Sequence, residues 1–280
     1  MKIMVLGASG LLGKALMHEW EEDEVVGLTS RDADIREADA VRKVILAARP
    51  EWIVLSAAYT DVDGCETNAE LAFAVNRDGV INVAQAARQA RSNLLFLSSD
   101  YVFDGKKATP YEVTDPRNPQ SVYGRTKAEA EIRLLEILPE CCIVRTAWLF
   151  GTGGKCFPDT ILKLAANRLF LDVVNDQRGS PTYSVDLARA ITQLCRKSAS
   201  GVVHATNAGN CTWFEFAQEI VKAAGLPADV RPTSTAQMAR PAPRPANSIL
   251  SARSLQSFGI EMPAWRDALA RYLRERNAAV

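Results

Sequence analysis

The chain has 280 residues, 48% of them hydrophobic, which is enough to bury a large core as one domain or as two packed lobes. Its 33 basic and 33 acidic side chains cancel without a long run of one sign, which argues against a nucleic-acid polymer as partner. The longest apolar stretches, such as Ile53–Ala58 and Leu94–Leu97, are strand-sized, so no membrane span is expected. Met1–Leu6 passes straight into a glycine loop, so it reads as a first strand and not as a leader.

In chain order, Lys2–Leu6 is an apolar run that ends at a glycine turn. Leu11–Trp20 follows with apolar residues at Leu12, Ala15, Leu16 and Trp20, the spacing of a helix face. Glu24–Leu28 predicts a second strand, and Ala38–Ala48 a second helix that stops before Pro50. Trp52–Ala57 is a third strand whose unbroken apolar character suits a parallel sheet covered on both faces. Asn68–Gln89 reads as one long helix, Leu94–Ser98 as a fourth strand, Ser121–Leu138 as a helix and Cys141–Thr146 as a fifth strand. This alternation predicts a doubly wound, Rossmann-like α/β sheet with right-handed crossovers.

After about Leu149 the rhythm changes. Helical stretches near Thr160–Asn167, Val185–Lys197 and Trp213–Ala224 are separated by loops rich in Gly, Pro and Asn. Arg231–Asn247, with Pro232, Pro241, Pro243 and Pro245, reads as an extended surface segment. The expected organisation is a dinucleotide-binding domain over 1–150, rejoined by segments near 171–208, and a smaller substrate lobe over most of 151–280. The cysteines, Cys65, Cys141, Cys142, Cys156, Cys195 and Cys211, are scattered, and no Cys-x-x-Cys occurs. The two histidines, His18 and His204, lie far apart. Reduced core thiols, no metal site and a cytoplasmic location are expected.

The first candidate site is Gly7-Ala8-Ser9-Gly10-Leu11-Leu12-Gly13, between the first strand and the first helix. Gly7 permits a tight turn, Gly10 lets the backbone approach a pyrophosphate, and Gly13 lets helix and strand pack closely. The helix start adds free N–H groups and positive dipole. At the end of the second strand, where NAD-binding folds place an acid, the chain has Thr29-Ser30-Arg31. Two hydroxyls and a guanidinium suit a 2′-phosphate, so NADPH is favoured, with NADH the other possibility. Asp34 and Ile35 follow, where an adenine ring would rest.

Tyr123 and Lys127 stand four residues apart and project from one helix face. Ketone reduction needs a proton donor beside the carbonyl, and a cation one turn away brings a phenol toward working pH. The fourth strand ends in Ser98-Ser99-Asp100-Tyr101, at the carboxyl edge where such sheets bind ligands. Of the two serines, Ser99 is taken as the hydroxyl that holds the substrate oxygen. The predicted catalytic set is Ser99, Tyr123 and Lys127.

These residues resemble the dTDP-4-dehydrorhamnose reductase family of the extended short-chain dehydrogenase/reductase superfamily. The resemblance runs through Gly7–Gly13, Ala57–Asp63, Glu66, Ala74-Val75-Asn76, Ser98–Gly105, Tyr123–Lys127, Arg145–Trp148, Asp176–Thr182 and Arg244–Ser248, nearly the whole chain. It implies that Gly10, Leu11, Leu12, Asp34, Ile35, Ala57, Ala58, Tyr59, Asn76 and Leu97 belong to the cofactor site, together with Tyr123 and Lys127. It also implies that Ser99, Asp100, Tyr101 and Trp148 meet a nucleotide-sugar substrate. Members that dimerise around magnesium carry glutamates where this chain has Ala15 and Val185, so any homodimer is expected to lack a metal bridge.

The implied activity is reduction of the C4 ketone of a nucleotide-linked deoxysugar. A dehydratase of this fold would carry an acidic pair after the strand end, where Tyr101 follows Asp100 here. An epimerase would favour NAD, against Thr29-Ser30-Arg31. A third reading is a non-catalytic NADP-binding regulatory subunit resembling the β-subunit of methionine adenosyltransferase.

Overall fold

The computed structural model describes residues 1–278. The first half runs β1 (Lys2–Leu6), α1 (Leu11–Glu19), β2 (Glu24–Leu28), α2 (Ala38–Ala48) and β3 (Trp52–Leu55). Three helices follow, α3 (Val62–Thr67), α4 (Ala69–Phe73) and α5 (Gly79–Ala90), with a π turn over Ala74–Asp78 between the last two. β4 (Asn93–Ser99) leads into a 3₁₀ turn at Asp100–Val102, then α6 (Val122–Ile137) and β5 (Cys142–Thr146). The second half runs β6 (Leu149–Phe150), α7 (Phe157–Ala165), β7 (Phe170–Val174), β8 (Arg178–Gly179), β9 (Thr182–Tyr183), α8 (Ser184–Arg196) and β10 (Gly201–His204). It ends with β11 (Cys211–Thr212), α9 (Trp213–Ala223), β12 (Asp229–Thr233), α10 (Thr235–Met238), α11 (Arg253–Gln256) and α12 (Trp265–Ala278).

The apolar runs without polar alternation become central strands because both of their faces are covered. The sheet is parallel throughout, in the order β10-β5-β4-β3-β1-β2. On one face, Leu12 and Leu16 of α1 join Leu187 and Ile191 of α8 against Ile3, Val5, Leu95 and Val144. On the other, Val41 and Ile45 of α2, Val80 and Val83 of α5 and Leu134 of α6 cover Met4, Ile53, Leu94 and Ile143. The strand order reverses between β1 and β3, so the carboxyl ends of these strands open the crevice where such sheets take ligands.

Beyond Phe150 a second core forms from α7, α9 and α12 with β7 and β12, centred on Phe150, Phe216, Trp265 and Tyr272. The chain returns to the large sheet through α8 and β10, whereas β7 pairs with β12 in the second core. No helix among the described residues is long and apolar enough to cross a membrane.

Three elements depart from the sequence reading. The long helix expected over Asn68–Gln89 is instead α4, a π turn and α5. The third strand stops at Leu55, because the N–H groups of Ser56 and Ala57 both turn onto the Leu6 carbonyl at 2.9 Å. The proline-bearing stretch is not extended throughout: after β12, which pairs in parallel with β7, α10 starts at a Ser234–Gln237 capping box. The stretch then crosses back to the first half, with the Asn247 N–H on the Gly105 carbonyl at 3.1 Å.

Candidate active site

Gly7 holds φ at +99°, and a Cβ there would lie 2.6 Å from the Ala57 nitrogen. A Cβ on Gly13 would lie 2.1 Å from the Gly7 carbonyl oxygen, so the first turn of α1 packs directly on the loop. The α1 N-cap is Gly10, with no side-chain cap and no acid in the first turn. The leading N–H groups of α1 are thus left for an anion, and the residues present fit the pyrophosphate of a dinucleotide.

At the end of β2 the polar groups are partly committed. The Thr29 N–H and hydroxyl both donate to Asp32 Oδ2, at 2.8 and 2.7 Å. Asp32 is a carboxylate that sequence reading passed over. Arg31 is exposed and stands off the cleft wall, while Thr29, Ser30, Asp34 and Ile35 lie on it. Arg36 also lines the cleft and is forked onto Asp34, with Nη2 to Oδ2 at 2.6 Å, which holds the Asp34 carboxyl below its ordinary range.

One cleft of about 830 Å³ runs from this strand end past Gly7, Gly10, Leu11, Leu12 and Gly13 to Ala57, Ala58 and Leu97. It continues over Ser99, Asp100, Tyr101, Tyr123 and Lys127 to Trp148. Tyr59 and Asn76 do not line it. Asn76 is fully buried, with Oδ1 accepting from the Tyr59 N–H at 2.8 Å and Nδ2 donating to the Tyr59 carbonyl at 2.9 Å. Its Nδ2 also reaches Thr126 Oγ1 at 3.2 Å, so this amide clamps the loop after β3 to α6. The π turn that carries Asn76 sets this reach, and π turns often mark functional sites. The resemblance assigns Asn76 and Tyr59 to the cofactor; here the Asn76 amide is bonded to the Tyr59 backbone and to Thr126.

α6 begins at Ser121, whose hydroxyl accepts from the Gly124 N–H at 3.1 Å. Gly124 lets this helix approach closely, since a Cβ would lie 2.2 Å from the Tyr101 carbonyl. Tyr123 and Lys127 are buried on the same helix face. Lys127 Nζ donates to the Leu97 carbonyl at 2.8 Å and lies 4.6 Å from the centre of the Phe96 ring. Burial brings its ammonium down to about 8, an effect that the Glu131 charge opposes. Burial pushes the Tyr123 phenol above its ordinary range, opposed by the Ser99 hydroxyl beside it. Tyr123 is therefore a protonated phenol at neutral pH.

The two strand-end serines separate by partner. Ser98 Oγ donates to the buried Glu131 at 2.5 Å, whereas Ser99 Oγ donates to Asp100 Oδ1 at 2.9 Å and lies by Tyr123. Burial pushes the Asp100 carboxyl up to about 6, against hydrogen bonds from Ser248 and Ser99. Tyr101 packs edge-on to Tyr123, ring centres 5.6 Å apart.

Trp148, at φ +47°, stacks on Trp213 with centroids 3.5 Å apart and planes 7° apart. Trp213 opens α9 and lines the same cleft. Sequence reading missed it: the Thr212–Glu215 capping box marks a helix start, but nothing local says which lobe wall that start faces.

A glycine loop at the strand-order reversal, a strand-end serine and a Tyr–Lys helix face on one cleft define an extended short-chain dehydrogenase/reductase fold. Residues 1–278 match the family described as RmlD substrate binding domain, and the chain belongs to that family. It is 38% identical over 280 residues to the spore coat polysaccharide biosynthesis protein SpsK of Bacillus subtilis, covering 99% of each chain. It is 41% identical over 276 residues to a dTDP-4-dehydrorhamnose reductase of Streptomyces griseus, covering 95% of this chain and 91% of that one. Among solved structures, dTDP-4-dehydrorhamnose reductase from Bacillus anthracis in complex with NADP is 37% identical, with a TM-score of 0.95 over 98% of this chain and 100% of that one.

Proposed function

We propose that this chain is an NADPH-dependent reductase of the C4 ketone of a nucleotide-linked deoxysugar, in the manner of dTDP-4-dehydrorhamnose reductase. The observation that carries the reading is Tyr123, protonated and buried, one turn from Lys127 and beside Ser99, on the cleft that begins at the glycine loop. The family and its named reductases support the substrate class.

In this reading Gly10, Leu11, Leu12 and Gly13 hold the pyrophosphate, and Ser30 with Arg31 or Arg36 meets the adenosine ribose phosphate. Bound NADPH supplies the hydride. Ser99 donates to the substrate carbonyl oxygen and fixes it beside Tyr123. Tyr123 passes its phenolic proton to that oxygen as negative charge develops on it, and the Lys127 ammonium stabilises the phenolate left behind. Asp100, Tyr101 and Trp148 bind the sugar, and Trp148 presents an aromatic wall to its apolar face.

The test is NADPH oxidation by the purified protein with dTDP-4-dehydrorhamnose, repeated with NADH and with Arg31→Ala. The wild type turns over with NADPH in preference to NADH, and Arg31→Ala raises the KM for NADPH about tenfold through loss of a charge-assisted phosphate contact. An unchanged coenzyme preference moves that role to Arg36. Tight NADPH binding without turnover sinks the reductase and favours the non-catalytic regulatory subunit.

A further inference from the structure

Two helical turns along α6 from the proposed proton donor lies a buried charged cluster that the reaction above does not use. Glu131 is fully buried on α6 and follows Tyr123 and Lys127 at the same four-residue spacing, about 6 Å further along the axis per step. Its carboxylate accepts from Ser98 Oγ at 2.5 Å, Arg117 Nε at 2.6 Å, and Arg145 Nε and Nη2 at 2.9 and 2.6 Å. Burial disfavours its ionisation, but the hydrogen bonds from Arg145, Ser98 and Arg117 outweigh that and hold it below the ordinary carboxylate range. Burying this many charges is costly, and hydrophobic replacements of such clusters are often neutral or stabilising. A cluster tied through Ser98 to the end of β4, beside Ser99, points to a use beyond packing.

We propose that Glu131 is a positioning residue for Lys127, its fixed negative charge holding the ammonium cationic one helical turn away. The proposal rests on the role given to Lys127 above. The elements packed around Lys127 and Glu131 bring the following charged, titratable and polar groups. From α6 come Tyr123 and Glu131. From β4 and its end come the Leu97 carbonyl, Ser99 and Asp100. From α3 come Cys65, whose buried thiol is pushed up to about 11 and stays neutral, and Glu66, which accepts from the Val122 N–H at 2.7 Å. From β5 comes Arg145, already committed to Glu131. From β10 comes His204, which burial and the Arg145 charge bring down to about 3, so it is neutral. Arg117 reaches the cluster from the loop before α6 and is partly exposed. Asp100 lies at the substrate end of β4, and Glu66, on α3, is spent on the Val122 N–H that opens α6, so Glu131 is the counter-charge further along the helix. Ser98 then has a role too, because it orients that carboxylate from the residue next to Ser99.

The experiment titrates the Lys127 side chain directly by NMR in isotope-labelled protein without substrate, the signal being assigned by its loss in Lys127→Met. In wild type the midpoint lies at about 8. Glu131→Gln lowers it by about one pH unit, Glu131→Asp restores most of the loss, and Arg117→Gln, which removes a cation and keeps the buried Glu131–Arg145 pair, raises it by a few tenths of a unit. The alkaline limb of kcat/KM moves with each midpoint, while the KM for the nucleotide sugar at neutral pH stays put. A folded Glu131→Gln protein with an unmoved or raised midpoint overturns the proposal and leaves Glu131 as packing. If Glu131→Gln fails to fold, Arg117→Gln decides, and a midpoint that stays or falls overturns it. Midpoints that shift as stated in a protein without turnover keep this proposal and reject the reductase, so the two failures are distinct.

Discussion

Replacing Tyr123 by Phe lowers kcat by about 10²- to 10⁴-fold while NADPH binding, followed by quenching of protein fluorescence, is retained. The magnitude is that of a lost general acid in a site where no other group holds a proton as well placed. The phenol is buried, and Ser99 stands next to it. Lys127 is held on the Leu97 carbonyl at 2.8 Å, and Asp100 titrates at about 6, so neither serves as donor at neutral pH. The ring itself remains in Phe, including its edge-on contact with Tyr101, so the fold should be kept. Steady-state rates with saturating nucleotide sugar decide the matter, and a rate within threefold of wild type would remove Tyr123 from the chemistry.

The largest stability loss is expected at Arg145→Leu. Arg145 and Glu131 are both essentially unexposed, and the arginine supplies two of the four hydrogen bonds on that carboxylate. Removing one partner of a buried pair strands the other charge, at a cost of about 3–5 kcal/mol. For a chain of this size that is a fall in Tm on the order of 10 °C. Arg117→Leu removes a partner that water reaches and costs a small part of that. Matched thermal melts of the two variants separate the cases, and equal losses would contradict the burial argument.

Much of the nucleotide half is legible from one-dimensional pattern, because the forces there are local. An apolar run such as Trp52–Leu55 names a buried parallel strand, and Gly7–Gly13 names a strand-to-helix turn whose glycines the backbone requires. Tyr123 and Lys127 share a face by helical period alone. What escaped depends on partners distant in sequence. Ser98 and Ser99 differ by which side of the sheet each hydroxyl meets, and only the position of Glu131 on α6 separates them. Asn76 carries a family motif, yet its amide is spent on Tyr59 and Thr126 in a π turn that no periodicity announces. Thr29 looks free for phosphate until Asp32 folds back onto it. Trp213 packs on the second core, whose short strands and loops have no repeating pattern to register them against the large sheet.

The face-to-face pair of Trp148 and Trp213 also makes the molecule its own spectrometer. Two indoles 3.5 Å apart and nearly parallel share their electronic transitions. Trp148 comes from the segment after β5 and Trp213 from the start of α9, and both pack on the second core and line the cleft, so their coupling depends on how these two segments meet at the cleft wall. The protein should show a split circular-dichroism band that Trp213→Phe abolishes. Any change in the angle between the two rings, on binding in the cleft or on warming, should be readable in that band without a label.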